Sequence, residues 1–296
     1  MEKTAKLPNE IKWATRQRLQ FIEVTAYYTG VISRSTLATA FGISDPAATK
    51  DLKLYNELAP DNLKYNPSLF GFIPTESFAA LFAELDPAAV LQMIANNLLT
   101  IDNPTNDDKL YGITVDKLPL PTRLPDKEVL SQIIRAIRGK NQLSMVYHSL
   151  SDRESKERRI IEPHAIINNG LRWHIRAYSQ DTYDFRDFVL SRIADANMLD
   201  EKAESSAQYD DDWMEIISIK LKPHPNLNEK QRLTLKYDYN MKDDTIELNV
   251  RRALVGYVLQ RMAVDTTADH SLNPNAYQLI VINRDEIEPF AGWAFL

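Results

Sequence analysis

The sequence predicts a multidomain α+β protein: a helical N-terminal region closed by a short β-hairpin, then a small all-β unit, then a unit of mixed helices and strands. Three observations carry that reading. At 296 residues, with 44% hydrophobic and 26% charged side chains, the chain has ordinary globular composition and enough length for two or three cores. A stretch rich in Pro, Asn and Asp over 102–125 interrupts the periodicity. The hydrophobic period changes from helical before that stretch to strand-like after it.

Residues 8–30 predict a helix, with Leu19, Ile22 and Ala26 at helical spacing and Gly30 as its C-terminal cap. Ser33 caps a second helix containing Leu37, Ala40 and Phe41, and Gly42 permits a sharp turn into Ser44, a second cap. Pro46 falls in the first turn of the third helix, where it is tolerated. Through Leu58 that helix places Ala48, Leu52 and Tyr55 inside and Ala47, Thr49, Lys50 and Lys53 outside. Asn62 to Tyr65, a turn at Asn66-Pro67-Ser68, and Phe70 to Ile73 read as a hairpin. Helix, glycine turn, helix, hairpin is the order of a winged helix-turn-helix. Residues 76–100 predict a trailing helix, which sets a first domain at 1–100 and a linker at 101–125.

A helix over 126–139 and strands over 143–149, 157–162, 171–178 and 185–193 predict a helix plus a small β-barrel at 126–200. Across 201–296, strand 216–222, helix 228–236, strand 245–250, helix 252–262 and strand 277–282 give the alternation of a ferredoxin-like α+β domain. Leu254, Val255, Val258, Leu259 and Met262 make its second helix apolar enough to bury against a sheet or a partner. The domain is acidic, with Asp210-Asp211-Asp212 at its start, and is not expected to face DNA phosphates.

Charge is unevenly spread. The net of -6 argues against non-specific binding of polyanions, yet residues 123–192 carry thirteen Lys and Arg against nine Asp and Glu, with ten of the eighteen arginines. The third helix of a winged helix-turn-helix enters the major groove. Its outward residues Ala47, Thr49, Lys50 and Lys53, with Ser44 at its cap, are therefore candidate base and phosphate contacts. Arg34, Lys64 and Tyr65 are placed for backbone positioning. A compact helical domain with solvated lysines is the plainer alternative.

There are no cysteines, which removes disulfides, thiolate metal sites and cysteine nucleophiles together. The five histidines lack metal-ligand spacing, and no nucleophile elbow, Walker loop or dinucleotide fingerprint is present. The expectation is no metal, no cofactor and no enzymatic activity; a nucleotide-directed enzyme would have His174 as its general base. Met1 to Glu10 lacks the apolar core of a secretion signal, and no apolar run is long enough to span a bilayer, so the chain is expected to be cytoplasmic without membrane contact.

In the middle segment Arg172, His174, Arg176 and Tyr178 alternate with Leu171, Trp173, Ile175 and Ala177, so one strand face is cationic and the other apolar, with Trp173 assigned to the core. Arg186 and Arg192 share a side if their strand stays regular. By residue pattern alone this is either an anion pocket or a solvated face paired to Asp181, Asp184 or Asp187. The stretch Gly170-Leu-Arg-Trp173-His174-Ile175-Arg176-Ala177-Tyr178, followed by Arg186-Asp-Phe188-Val-Leu190-Ser-Arg192-Ile193, resembles the signature of WYL-domain regulators, with Trp173-His174-Ile175 in place of Trp-Tyr-Leu. Val146-Tyr147-His148-Ser149 and Arg159-Ile-Ile-Glu162-Pro163-His164 resemble the family's first two strands, and the likeness covers nearly the whole chain. The phrase Phe41-Gly-Ile-Ser44-Asp-Pro-Ala-Ala-Thr-Lys-Asp51-Leu is most similar to the WYL repressors beside BREX-type phage-defence operons.

The resemblance implies an Sm/SH3-like barrel that senses an effector and a C-terminal extension of the WCX type. It implies a homodimeric repressor of its own operon on a palindromic double-stranded DNA operator. It points to Tyr147, Ser149, Arg159, His174, Arg176, Arg186 and Arg192 as contacts for a small anionic, nucleotide or oligonucleotide ligand. The competing expectation is a single-stranded DNA or RNA binder in which the arginine-rich barrel is the reader.

Overall fold

Apolar residues gather into three separate cores, one in a unit spanning Met1–Pro119 and two in a unit spanning Leu120–Leu296. The computed structural model describes residues 11–96, 113, 116, 118–150 and 158–296. Most of the expected linker, and the beginning of the strand expected at 157, lie outside the described residues.

In the first unit, α1 (Trp13–Thr29), α2 (Arg34–Phe41) and α3 (Asp45–Leu58) pack around Leu19, Ile22, Leu37, Ala48, Leu52 and Tyr55. Gly30 and Gly42 close α1 and α2 in the left-handed conformation, and the Ser33 hydroxyl accepts from the Thr36 amide. The hairpin β1 (Leu63–Asn66) and β2 (Gly71–Pro74) is antiparallel, and Phe72 also bridges back to Ile32. Arg18 clamps α3 to α1 through both oxygens of the buried Asp51, at 2.6 and 3.3 Å.

The trailing helix is shorter than expected. It forms only as α4 (Pro87–Asn96), with 97–100 outside the described residues. The residues before it spend their amides on buried side chains instead of on a helix. Glu23, fully buried, accepts from the amides of Leu81, Phe82 and Ala83 and from the Tyr55 hydroxyl. Asn62 holds Ala79 at both its amide and its carbonyl. Burial and the neighbouring Glu23 carboxylate push the Tyr55 hydroxyl well above its ordinary pKa, so it stays a donor.

The second unit opens with α5 (Lys127–Gly139), whose Val129, Ile133 and Ala136 cover a five-stranded antiparallel sheet. Its strands are β3 (Asn141–Tyr147), β4 (Arg158–Asn168), β5 (Trp173–Ser179), β6 (Asp184–Val189) and β7 (Ile193–Lys202), in the order β6-β5-β4-β3-β7. The two edge strands β6 and β7 are joined by one 3-10 turn, Leu190–Arg192. Edges that close in sequence force the sheet to curl, which is the geometry of a small barrel, and extra residues in β7 opposite β3 and in β4 opposite β5 supply the bend. The strand expected over 185–193 is thus interrupted, and β7 is an additional strand beyond those expected from the pattern.

The remaining elements are α6 (Asp211–Met214), β8 (Ile216–Pro223), α7 (Glu229–Asp238), β9 (Ile246–Arg251), α8 (Val255–Arg261), β10 (Val264–Asp265), β11 (Leu279–Val281) and α9 (Arg284–Ala291). The sheet order is β10-β11-β8-β9. The class is α+β, with β8 and β9 as antiparallel neighbours, a connectivity that differs from the ferredoxin-like alternation. A turn with Asn240, Asp243 and Asp244 at positive φ returns the chain after α7. Val255 and Leu259 of α8 enter this core.

Replacing Glu23 by Ala removes the acceptor for three backbone amides and a hydroxyl at once, so the first unit is expected to lose about 3 kcal/mol of stability. Urea unfolding followed by circular dichroism checks this: the midpoint of the transition assigned to that unit should fall at unchanged slope.

Candidate nucleic-acid interface and anion site

The outer face of α3, the start of α2 and the hairpin surround a concavity of about 680 Å³, lined by Ser33, Arg34, Ser35, Thr49, Leu52, Lys53, Asn56, Glu57, Tyr65, Phe70 and Phe72. Of the residues expected to touch DNA, it brings together Arg34, Thr49, Lys53 and Tyr65. Lys50 is exposed on α3, Lys64 on β1 and Ser44 at the start of α3, while Ala47 is half-buried; none of these lines the concavity. Ser44 occupies the cap position without a side-chain cap bond. The Thr49 hydroxyl donates to the Asp45 carbonyl, and Arg34 faces Asp45 at 3.4 Å in an exposed pair that a phosphate can displace at little cost.

Asn56 is absent from the residues expected on sequence grounds. It continues the stripe of Thr49 and Lys53 at i+7, and its amide oxygen is buried without a hydrogen-bond partner. Asn56 lines the same concavity, and an asparagine amide carries the paired donor and acceptor that match an adenine edge. Its signal is the helical spacing, which runs one turn past Lys53.

The cationic face of β5 is covered by protein. Arg176 is buried, donates to both oxygens of Asp210 at 2.7 and 2.9 Å, and reaches Asp187 at 3.4 Å. Burial lowers the affinity of its guanidinium for a proton, but the bonds to Asp210 outweigh this and hold its pKa above the ordinary value. Asp210 also accepts from the Trp213 amide at the start of α6 and lies 3.0 Å from the His164 ring. Arg176, expected among ligand contacts, is therefore an internal tie with each guanidinium nitrogen engaged. Tyr147 and Arg159 are also internal: the Arg159 guanidinium lies over the Tyr147 ring at 5.4 Å, and that ring meets Phe188 edge-on. Ser149 is half-buried in the loop after β3. Arg186 is exposed on β6, and the turn after Val189 removes the regular alternation that would place it beside Arg192. Trp173, expected in the core, is 38% exposed because it begins β5 at the barrel's margin.

His174 is different. It is 1% exposed, both ring nitrogens lack a hydrogen-bond partner, and its ring lies 5.0 Å from that of Tyr257 on α8. Tyr257 in turn donates to Asp187 at 2.9 Å. Arg172, Arg192 and Arg123 are near enough to act on His174 electrostatically, and burial together with these cations pulls its pKa down to about 4. Among the described residues, the carboxylates of Asp187 and Asp210 on this face are taken by Arg176. Guanidinium groups beside a buried imidazole are donor chemistry of the kind that suits a bound anion. No group of His, Asp and Glu suited to a metal ion occurs among the described residues, and no described helix is long and apolar enough to cross a membrane.

Three family profiles match the chain in order: the BrxR transcriptional regulator winged helix-turn-helix domain over 14–96, the WYL domain over 128–198, and the BrxR transcriptional regulator C-terminal dimerization domain over 216–287. A protein described as DNA-binding transcriptional repressor CapW, from Escherichia coli (strain KTE188), is 36% identical over 280 residues, 93% of this chain and 91% of its own. The chain belongs to this family of WYL repressors. A CapW repressor of Pseudomonas aeruginosa is 32% identical over 286 residues, 96% of this chain and 94% of its own. One of Stenotrophomonas maltophilia is 30% identical over 280 residues, 95% and 93% respectively. The three profiles follow one another along the chain over the winged helix, the barrel and the C-terminal region, and the CapW relatives match across all three.

A neutral buried His174 makes a prediction about acid stability. Its pKa is about 4 in the fold against an ordinary 6.5, so the unfolded chain binds the proton first, and stability present above pH 6.5 is lost as the pH falls towards 4. The loss is on the order of 3 kcal/mol. Urea unfolding at pH 7 and pH 5 should show a smaller drop for His174→Phe than for the wild type; equal drops would mean that this imidazole is not held neutral.

Proposed function

We propose that the chain is a homodimeric, sequence-specific repressor of double-stranded DNA that reads a palindromic operator through the α2, α3 and hairpin face. The observation that carries this reading is the concavity that gathers Arg34, Thr49, Lys53, Asn56 and Tyr65. Its family membership supports the same role. The proposed organisation is a DNA-reading domain at 1–100, a linker at 101–125, a WYL domain at 126–200 and a dimerising α+β domain at 201–296. It acts in the cytoplasm, without catalysis, on its own phage-defence operon.

The second half of the proposal is that an anionic or nucleic-acid-derived ligand binds at His174, Arg172 and Arg192, with Arg186, Tyr147, Ser149 and Arg159 around or behind it. The ligand changes operator affinity only as far as it binds the two states of the dimer unequally.

Electrophoretic shift with the duplex immediately upstream of the protein's own gene, against a scrambled duplex, tests the first half. Retardation should be sequence-specific. Lys50→Glu combined with Lys53→Glu should abolish it, and neutral substitutions there should flatten the salt dependence by about one unit of log-log slope for each phosphate that is no longer neutralised. Binding of single strands or RNA in place of that duplex would transfer the reading role to the barrel. For the second half, pyrophosphate and a short single-stranded oligonucleotide are the probes. One of them should change duplex affinity by about fivefold or more, and Arg172→Ala with Arg192→Ala should remove the effect. Binding without any change in duplex affinity would sink the sensor model.

A further inference from the structure

The tip of the hairpin has an unusual chemistry for a surface that meets a polyanion. Lys64 is its sole cation, and the loop that follows, Asn66-Pro67-Ser68-Leu69-Phe70-Gly71, carries none. Leu69 is 54% exposed and Phe70 80% exposed, so the tip presents an apolar knob. The knob is held rigidly. The Asn66 side chain accepts from the amides of Ser68 and Leu69, the Leu69 amide also reaches the Asn66 carbonyl, and Tyr65 packs edge-on against Phe72 below.

Phe70 also sits at a φ of 49°. A four-residue loop between Asn66 and Gly71, which are paired across the strands, ends in a left-handed residue, a place suited to glycine or asparagine. The glycine of this turn is one position later. There it is needed for close approach, since a Cβ on Gly71 would come within 2.6 Å of Val31 and 3.1 Å of the Ile32 carbonyl. A bulky aromatic residue therefore takes the left-handed position, and its exposure means that no packing within the domain offsets the strain. Its ring lines the same concavity as Arg34, Thr49, Lys53 and Asn56.

We propose that Phe70, flanked by Leu69, is an apolar wedge that enters the minor groove beside the major-groove segment read by α3, unstacks one base step and bends the operator. Minor-groove proteins use Phe and Leu in this way, and the bend is selective for steps that unstack easily. The wedge adds sequence discrimination at a position where no hydrogen bond reads a base edge. It contributes nothing to phosphate neutralisation, so its signature is separable from that of the lysines. This inference rests on the DNA-binding reading above.

The test uses the full chain and the duplex upstream of its gene, with 2-aminopurine placed in turn at each step of the flanking minor groove. Wild-type binding should raise the fluorescence at one step per half-site. Phe70→Gly adopts the positive φ without steric strain, and Phe70 is 80% exposed, so the substitution removes no packing from the core. It should weaken specific binding by about tenfold, the loss of one stacking aromatic ring. It should also abolish the fluorescence rise while leaving the salt slope and scrambled-duplex affinity unchanged. Phe70→Trp should retain the rise. If the wild type binds the duplex but no position brightens, or if Phe70→Gly binds as tightly as wild type, the wedge is overturned and DNA reading stands. If the Phe70→Gly loss is equal on scrambled duplex, the side chain is a non-specific contact and the wedge is likewise overturned. If the wild type does not bind duplex at all, the DNA-binding reading itself has failed.

Discussion

The buried guanidinium of Arg176 in the second unit has to be neutralised, and the arrangement around it follows from how this is done. An unpaired charge at that depth would cost several kcal/mol. Asp210 answers it with both oxygens, and the same carboxylate starts α6 and meets His164. Asp187 adds a second acceptor and is itself held by Tyr257. The barrel strand β5, the entry to the C-terminal region and helix α8 are thus fixed to one charge. Tyr257, placed by that network, lies against His174 and helps to seal the imidazole from water. His174 and the structural tie meet at Tyr257, so in the proposed sensor reading a ligand that moves His174 acts on a group already coupled to the C-terminal region.

The first unit uses the opposite charge for the same purpose. Glu23 is a buried anion satisfied by three successive backbone amides and a tyrosine hydroxyl. Tyr55 belongs to α3, so the carboxylate that organises the segment after the hairpin also sets the depth at which α3 packs. Arg18 and Asp51 fix its rotation. A buried hydroxyl-to-carboxylate hydrogen bond and a partly buried ion pair thereby orient the helix whose outer face carries Thr49, Lys53 and Asn56. Directional contacts of this kind define a unique placement where apolar packing alone tolerates rearrangement.

Local signals are legible in the sequence. Gly30, Ser33 and Gly42 bound the first helices because caps and left-handed turns depend on one residue each, and the inner face of α3 follows from helical spacing. Signals that depend on partners far away in sequence are not legible. The apolar pattern after residue 76 suggests a helix, because nothing local shows that Glu23 and Asn62 will claim the amides. Alternation along β5 correctly separates Ile175 and Ala177 from Arg176, but its polar side reads as ligand-facing, since Asp210 lies 34 residues away and its role emerges only once the chain has folded. The three consecutive aspartates at 210–212 read as the acidic start of a domain turned away from DNA; in the fold two of them neutralise Arg176 and Arg252. The Phe70 conformation is likewise hidden, because strain at a turn is visible only in the backbone.

Charge distribution constrains how such a protein can find its site. With a net of -6 over the whole chain, long-range attraction to DNA is weak and binding to arbitrary duplex gains little from counterion release. The reading face itself offers a handful of cations: Arg34, already shared with Asp45, and Lys50, Lys53 and Lys64. Affinity for a particular sequence must then come mainly from contacts that require the right bases, which in the proposed reading are the edge contacts of α3 and the apolar tip of the hairpin. In a dimer, engagement of one DNA-binding domain makes engagement of the second an intramolecular event. A repressor built this way holds its operator with little competition from bulk DNA.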